Sequence, residues 1–146
     1  MSSDEFRLDR FRKAQEGVCP TALRELRAGK KRTHWIWFVF PQLKGLGRSA
    51  YSQEYGLSGL AEARAYLADP VLGQRLREST QAVLAHRSLG ASAVLGELDA
   101  LKFRSCLTLF ALAAPDEPLF SSALEGLFGG ERDPRTLELL RARGEA

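Results

Sequence analysis

The segment from Ala100 to Ala113, ALKFRSCLTLFALA, limits the possible folds more than any other part of the chain. Phe103, Cys106, Leu107, Phe110 and Ala114 recur at helical spacing on one face, and Leu101, Leu109 and Leu112 cover much of the rest. A helix apolar on nearly every side has to be wrapped by other elements, so it is a central helix. Asp99 can cap its start and Pro115 stops it. A chain of 146 residues is long enough to bury such a helix within one domain.

The remaining segments supply the wrapping. Asp4 to Glu16 predicts an amphipathic helix with a stripe of Phe6, Leu8 and Phe11, capped by Asp4 and stopped by Gly17. Pro20 suits the first turn of a helix over Thr21 to Ala28. One helical turn is expected around Ser49 to Tyr55, and a strong helix over Leu60 to Leu67. Asp69-Pro70 pairs a cap with a first-turn proline and opens a helix to about Ala85. His86 to Gly96 reads as a connector with room for one helical turn, Glu117 to Leu127 as an amphipathic helix, and Asp133-Pro134 as the start of a last helix to about Arg143. The expectation is an all-α single domain over 1–146, of about six to eight helices, with the outermost residues at both ends flexible.

The stretch His34-Trp35-Ile36-Trp37-Phe38-Val39-Phe40 is ambiguous in period. Its β-branched and aromatic content suits a strand. No other segment offers a strand partner, and Thr33 is a plausible N-cap, so a short buried helix ended by Pro41 is expected. Trp37, Phe40, Phe103 and Phe110 are expected to share the core.

Polar groups beside this apolar material mark the candidate site. Lys102 and Ser105 lie three apart on the central helix, hence on one face. A lysine there must reach water, pair with a carboxylate such as Asp99, or bind an anion, while the hydroxyls of Ser105 and Thr108 can bond back to helix carbonyls. His34 is the candidate general base or donor, and Gln42 supplies an amide. At most one of Trp35 and Trp37 lines a pocket, and the ligand-side choice is Trp37. Lys44 and Arg48 belong to a glycine-punctuated basic loop suited to an anion. Two function classes follow. One is binding of, or hydrolytic action on, a small anionic or nucleotide-like ligand near Trp37, Gln42, Lys44, Arg48, Lys102 and Ser105. The other is a protein-interaction module without chemistry, using the edge Lys30-Lys31-Arg32 or an exposed apolar face.

Composition narrows the alternatives. A net charge of +3 mildly favours anionic partners, but the interleaving of acids with bases falls short of a nucleic-acid footprint. No apolar run approaches a membrane span, and the charged N-terminus lacks a signal core, so a cytoplasmic protein is expected. Cys19 and Cys106 are too few for a disulfide framework, and distant histidines and cysteines give no zinc spacing; no metal or cofactor is expected. Walker and dinucleotide fingerprints are absent. A thiol dyad of Cys106 with His34 stays open, and Glu62 and Glu78 are expected on solvated helix faces.

Three motifs together resemble a known family: His34-Trp35-x-Trp37-Phe38-x-Phe40-Pro41-Gln42, Asp9-x-Phe11-x-x-Ala14-Gln15 before it, and Asp99-x-x-Lys102-x-x-Ser105-x-x-Thr108-Leu109-Phe110 after it. The resemblance is to the bacterial domain-of-unknown-function family 1810, and it runs through Glu62-Ala63, Tyr66-Leu67 and Arg75-Leu76 to Asp133 and Thr136-Leu137. It implies a single all-helical domain and transfers no activity. Cys19 stands where that family has tyrosine, and Leu95 where phenylalanine is common. The automatic label "calpastatin" sometimes given to the family implies a disordered, aromatic-poor calpain inhibitor, which a chain with this core is not. A fainter likeness, in the ending Gly129-Gly130-x-x-Asp133-Pro134-x-Thr136-Leu137, is to small helical domains that cleave N-glycosidic bonds in ADP-ribose-type compounds. It implies hydrolase or N-glycosidase activity by fold analogy alone.

Overall fold

The computed structural model describes residues 5–145, so the expected cap Asp4 and the outermost terminal residues lie outside it. Ten helices and no strand occur among the described residues: α1 Asp9–Gln15, α2 Cys19–Arg27, α3 Ile36–Val39, α4 Ala50–Tyr55, α5 Leu60–Ala68, α6 Pro70–Leu84, α7 Ala91–Leu95, α8 Glu97–Ala113, α9 Pro118–Phe128 and α10 Pro134–Ala142. The all-α expectation holds, with more helices than expected. The helices that raise the number are short: α7, for example, is the helical turn possible within the 86–96 connector and spans five residues between Gly90 and Gly96, both at positive φ.

The central helix runs where the sequence places it but starts three residues earlier: Gly96 stands at its N-cap, so Asp99 lies within the first turn and does not cap it. α8 packs against α3, α5, α7, α9 and α10. Phe103, Cys106, Leu107, Leu109 and Phe110 are fully buried. α6 forms the second axis, against α1, α2, α3, α5 and α9. Asp69 caps α6 by accepting from the backbone N–H groups of Val71 and Leu72, both at 3.0 Å, and Pro70 occupies the first turn. At Gly73 the α6 backbone lies so close to α5 that a Cβ would stand 2.2 Å from the Leu67 carbonyl oxygen.

Two expectations change in the His34–Phe40 region, while its reading as a short helix holds. The helix is a single turn, because Thr33 does not cap it; its hydroxyl donates to Glu25 instead, at 2.7 Å. The core tryptophan is Trp35, fully buried, whereas Trp37 is half-buried and packs against the edge of the core. Phe40 and Phe103 do share the core, with ring centroids 4.4 Å apart, and Phe110 joins through Tyr66 and Phe120. After Pro41 the chain makes a two-residue bridge: Lys44 donates its backbone N–H to the Leu57 carbonyl at 2.7 Å, and Leu57 donates to that of Gln42 at 2.9 Å.

Glu62 is buried rather than solvated. Its carboxylate takes Arg10 at 2.9 Å and the Ser58 N–H at 2.8 Å, joining α1 to the start of α5. No helix among the described residues is long and apolar enough to cross a membrane.

Candidate functional site

The site is built on two supports. The first is Glu25 on α2. Its buried carboxylate accepts four hydrogen bonds: the N–H groups of Arg32 (2.9 Å) and Thr33 (3.1 Å), the Thr33 hydroxyl (2.7 Å) and the Trp35 indole N–H (2.9 Å). Burial alone would raise this carboxyl; the four donors outweigh it and hold it at about 2. The Lys31–Trp35 loop is thereby stapled to α2. The second support is Asp133, which caps α10 and also accepts from Ser105 Oγ at 3.0 Å, while its own N–H donates to Thr108 Oγ1 at 3.0 Å. Both central-helix hydroxyls also lie against helix carbonyls, Ser105 toward Leu101 and Thr108 toward Arg104.

Between these supports lies a surface groove of about 520 Å³, lined by Lys31, His34, Ile36, Trp37, Leu95, Glu97, Asp99 and Lys102. Lys31 is almost wholly buried. It pairs with Asp99 at 2.9 Å and stands 4.9 Å above the Trp35 ring. Lys102 also reaches Asp99, at 3.4 Å, and stands 5.5 Å above the Trp37 ring. Two ammonium groups thus share one carboxylate. Trp37 has Lys102 on one side and Tyr51 stacked on it at 4.7 Å. Beside the groove is a smaller recess of about 190 Å³, lined by Gln42, Leu46, Leu101, Lys102, Arg104, Ser105, Asp133 and Arg135. Lys102 lines both spaces.

Most residues singled out from the sequence therefore meet here. His34 and Trp37 border the groove, Gln42 and Ser105 the recess, and Lys102 both. Lys102 pairs with Asp99 as its spacing suggests, although Lys31 lies nearer to that carboxylate. Lys44 and Arg48 are exposed and line neither space; of their loop only Leu46 reaches the recess. Sequence reasoning left Lys31, Arg104 and Arg135 without a role in the site. Arg104 carried a usable signal, lying two residues from Lys102 on the same helix. Arg135 carried none, because only the fold of α10 brings it near α8. Cys106 is fully buried, and burial pushes its thiol well up, which removes it as a nucleophile for His34. Among the described residues no three His, Cys, Asp or Glu side chains gather as a metal site.

Fold and groove together define a small all-helical domain wrapped around one buried helix. The chain belongs to the family described as "Protein of unknown function (DUF1810)", whose model matches residues 5–140. It is similar to the conserved hypothetical protein Rv1873 from Mycobacterium tuberculosis, solved by crystallography at 1.38 Å: identity is 46%, the TM-score 0.92, and the match covers 94% of this chain and 99% of that one. A comparison with curated proteins gives no significant match.

Proposed function

We propose that this domain binds a small ligand combining a flat ring with an anionic group, in the groove between the His34–Trp37 segment and the first turns of α8. One observation carries the reading: Lys31 and Lys102 converge on the single carboxylate of Asp99 beside a half-buried tryptophan. Lys102 holds the weaker share of that carboxylate, at 3.4 Å against 2.9 Å for Lys31, so it is the cation an incoming anion can draw away; Glu97, exposed at the groove's border, opposes that anion. Displacing Lys102 from Trp37 would open that ring face to a planar group. The groove volume falls within the range usual for small-molecule sites, about 300–1,000 Å³.

The enzymatic form of this reading is hydrolysis of an N-glycosidic bond in an ADP-ribose-like compound. His34 and Glu97 border the groove and, among the described residues, their side chains make no hydrogen bond or ion pair, so both are available to exchange a proton. A second, non-enzymatic reading is a protein-docking surface. It is favoured by Leu98 and Leu101, respectively 75% and 53% exposed, one turn apart at the mouths of the two spaces.

A thermal-shift screen of wild type and Lys102→Met against nucleotides and anionic metabolites tests the primary reading. Lys31 still satisfies Asp99 in the variant, so its melting temperature is expected to be equal or higher. The shift given by an anionic ligand is expected to vanish. Equal ligand shifts in both proteins would refute the reading and leave the docking surface ahead.

A further inference from the structure

We infer that the anionic group of the ligand is a phosphoryl group, seated in the recess where Lys102, Arg104 and Arg135 converge. The inference rests on the ligand-binding reading above and adds the chemical class of the ligand. Size gives the first argument. At about 190 Å³ the recess is below the range that holds a whole small molecule, while the adjoining groove is within it. The recess takes a substituent and the groove the body that bears it, with Lys102 between them.

Arg104 gives the second argument. Its side chain is 21% exposed, yet it donates no hydrogen bond among the described residues, and its buried Nε has no partner. The nearest carboxylates are Asp133 at 3.7 Å and Glu131 at 3.9 Å, the latter side chain 80% exposed. Arg77, by contrast, is locked onto Glu117 by two bonds of 2.7 and 2.9 Å. A guanidinium carries five donors in a planar fork that matches a phosphate, and Arg104 holds such a fork largely desolvated, with two carboxylates at ion-pair distance but none at hydrogen-bond distance.

Charge gives the third. Three cations, Lys102, Arg104 and Arg135, face the recess against one carboxylate, Asp133. One oxygen of Asp133 is already committed to Ser105 Oγ and to the N–H and hydroxyl of Thr136, the last at 2.6 Å. Lys102 is also paired with Asp99 at 3.4 Å and Arg104 with the exposed Glu131 at 3.9 Å, so a phosphomonoester, which carries about −1.5 to −2 near neutral pH, competes with those carboxylates for cations they hold only at long range. A carboxylate ligand would bring one charge and would leave donors idle. Asp133 opposes any anion here, and the three cations have to outweigh it. The Gln42 amide at the rim supplies a further donor.

The test titrates adenosine, adenosine monophosphate and inorganic phosphate into the purified protein at fixed ionic strength. Calorimetry and the arginine side-chain N–H region of a ¹⁵N spectrum are followed. The monophosphate is expected to bind about 10- to 100-fold more tightly than the nucleoside, as charge-assisted hydrogen bonds predict. Inorganic phosphate is expected to move the Arg104 Nε–H signal. Arg104→Gln should abolish both effects while the nucleoside binds as before. Gln42→Glu, a rim change that leaves α8 intact, should also weaken phosphate binding. Arg24→Gln, on the separate basic hollow beside Cys19, should change nothing. Equal affinity for nucleoside and monophosphate, both sensitive to Trp37→Phe, would overturn the phosphoryl assignment and leave the groove reading standing. Phosphate binding through Arg104 without any nucleoside binding would uphold the recess and refute the groove as a ring site. Phosphate binding lost equally in Arg24→Gln would reduce the effect to non-specific surface charge and overturn the inference.

Discussion

Glu25→Gln is the perturbation that best isolates how the site is held. The amide is nearly isosteric with the carboxylate. Its oxygen can still accept from the Arg32 and Thr33 N–H groups and the Trp35 indole, and its NH₂ can donate to a rotated Thr33 hydroxyl. What is lost is the charge in those bonds. The folded carboxyl sits at about 2 against an ordinary 4.5. Because the folded value is depressed, the stabilisation is fully present above pH 4.5 and disappears as pH falls toward 2. The shift corresponds to about 3 kcal/mol at neutral pH as an upper bound, and solvent screening under an exposed loop reduces it to about 1–2 kcal/mol. At pH 3 about 40% of it should remain. Urea unfolding of wild type and Glu25→Gln at pH 7 and pH 3 measures this directly. The variant should be less stable at pH 7, with the gap closing by more than half at pH 3. Glu25→Ala should lose about 1–3 kcal/mol more, because it orphans the buried indole N–H. A gap independent of pH would refute the claim that the ionised carboxylate staples the loop.

The two tryptophans should separate in denaturant melts: Trp35→Ala should cost about 3–5 kcal/mol and Trp37→Ala about 1–2, and equal losses would contradict their difference in burial. Gly73→Ala should destabilise by about 1–3 kcal/mol, since the new methyl meets the Leu67 carbonyl, and an unchanged melting temperature would show that α5 and α6 part easily. Ser105→Ala should cost about 1 kcal/mol and Asp133→Ala about 2–4, because the aspartate caps α10 while the serine supplies one of its several donors; calorimetric unfolding that reverses this order would contradict the Asp133 support.

What was legible in the sequence was what is written in local period and composition. The apolar circumference of Ala100–Ala113 gave the central helix, and the Asp-Pro pairs at 69–70 and 133–134 marked two helix starts correctly. Local pattern could not decide between Trp35 and Trp37, two residues apart in an apolar run. The choice was made by Glu25, whose carboxylate captures one indole N–H from a different helix. The same carboxylate, through its other oxygen, drew the Thr33 hydroxyl away from the capping role its position suggested. Glu62 misled for the same reason, since its partner Arg10 is 52 residues away. In the site, Lys102, Ser105, His34 and Gln42 stood out because polar groups beside apolar runs need explaining. Lys44 and Arg48 stand in a basic, glycine-rich loop, yet both are exposed and line neither space, and the backbone bond from Lys44 to Leu57 fastens only the start of that loop.

Lys102, Arg104 and Ser105 are interleaved with Phe103 and Cys106 on α8, so the groups that face the recess are in phase with the groups that fill the core. Inserting or deleting one residue in that helix rotates everything beyond it by about 100° and would exchange cations for phenylalanine. The charged end of the site therefore cannot be re-spaced without dismantling the domain. On the opposite bank, His34–Phe40 carries core residues of its own, Trp35, Ile36, Val39 and Phe40, so only the largely exposed Lys44–Arg48 loop can lengthen or change composition without moving a core helix. Among relatives of this fold, diversity in what is recognised should accumulate in that loop, which reaches the recess through Leu46, while the cationic bank on α8 and the aromatic bank vary only as far as packing permits.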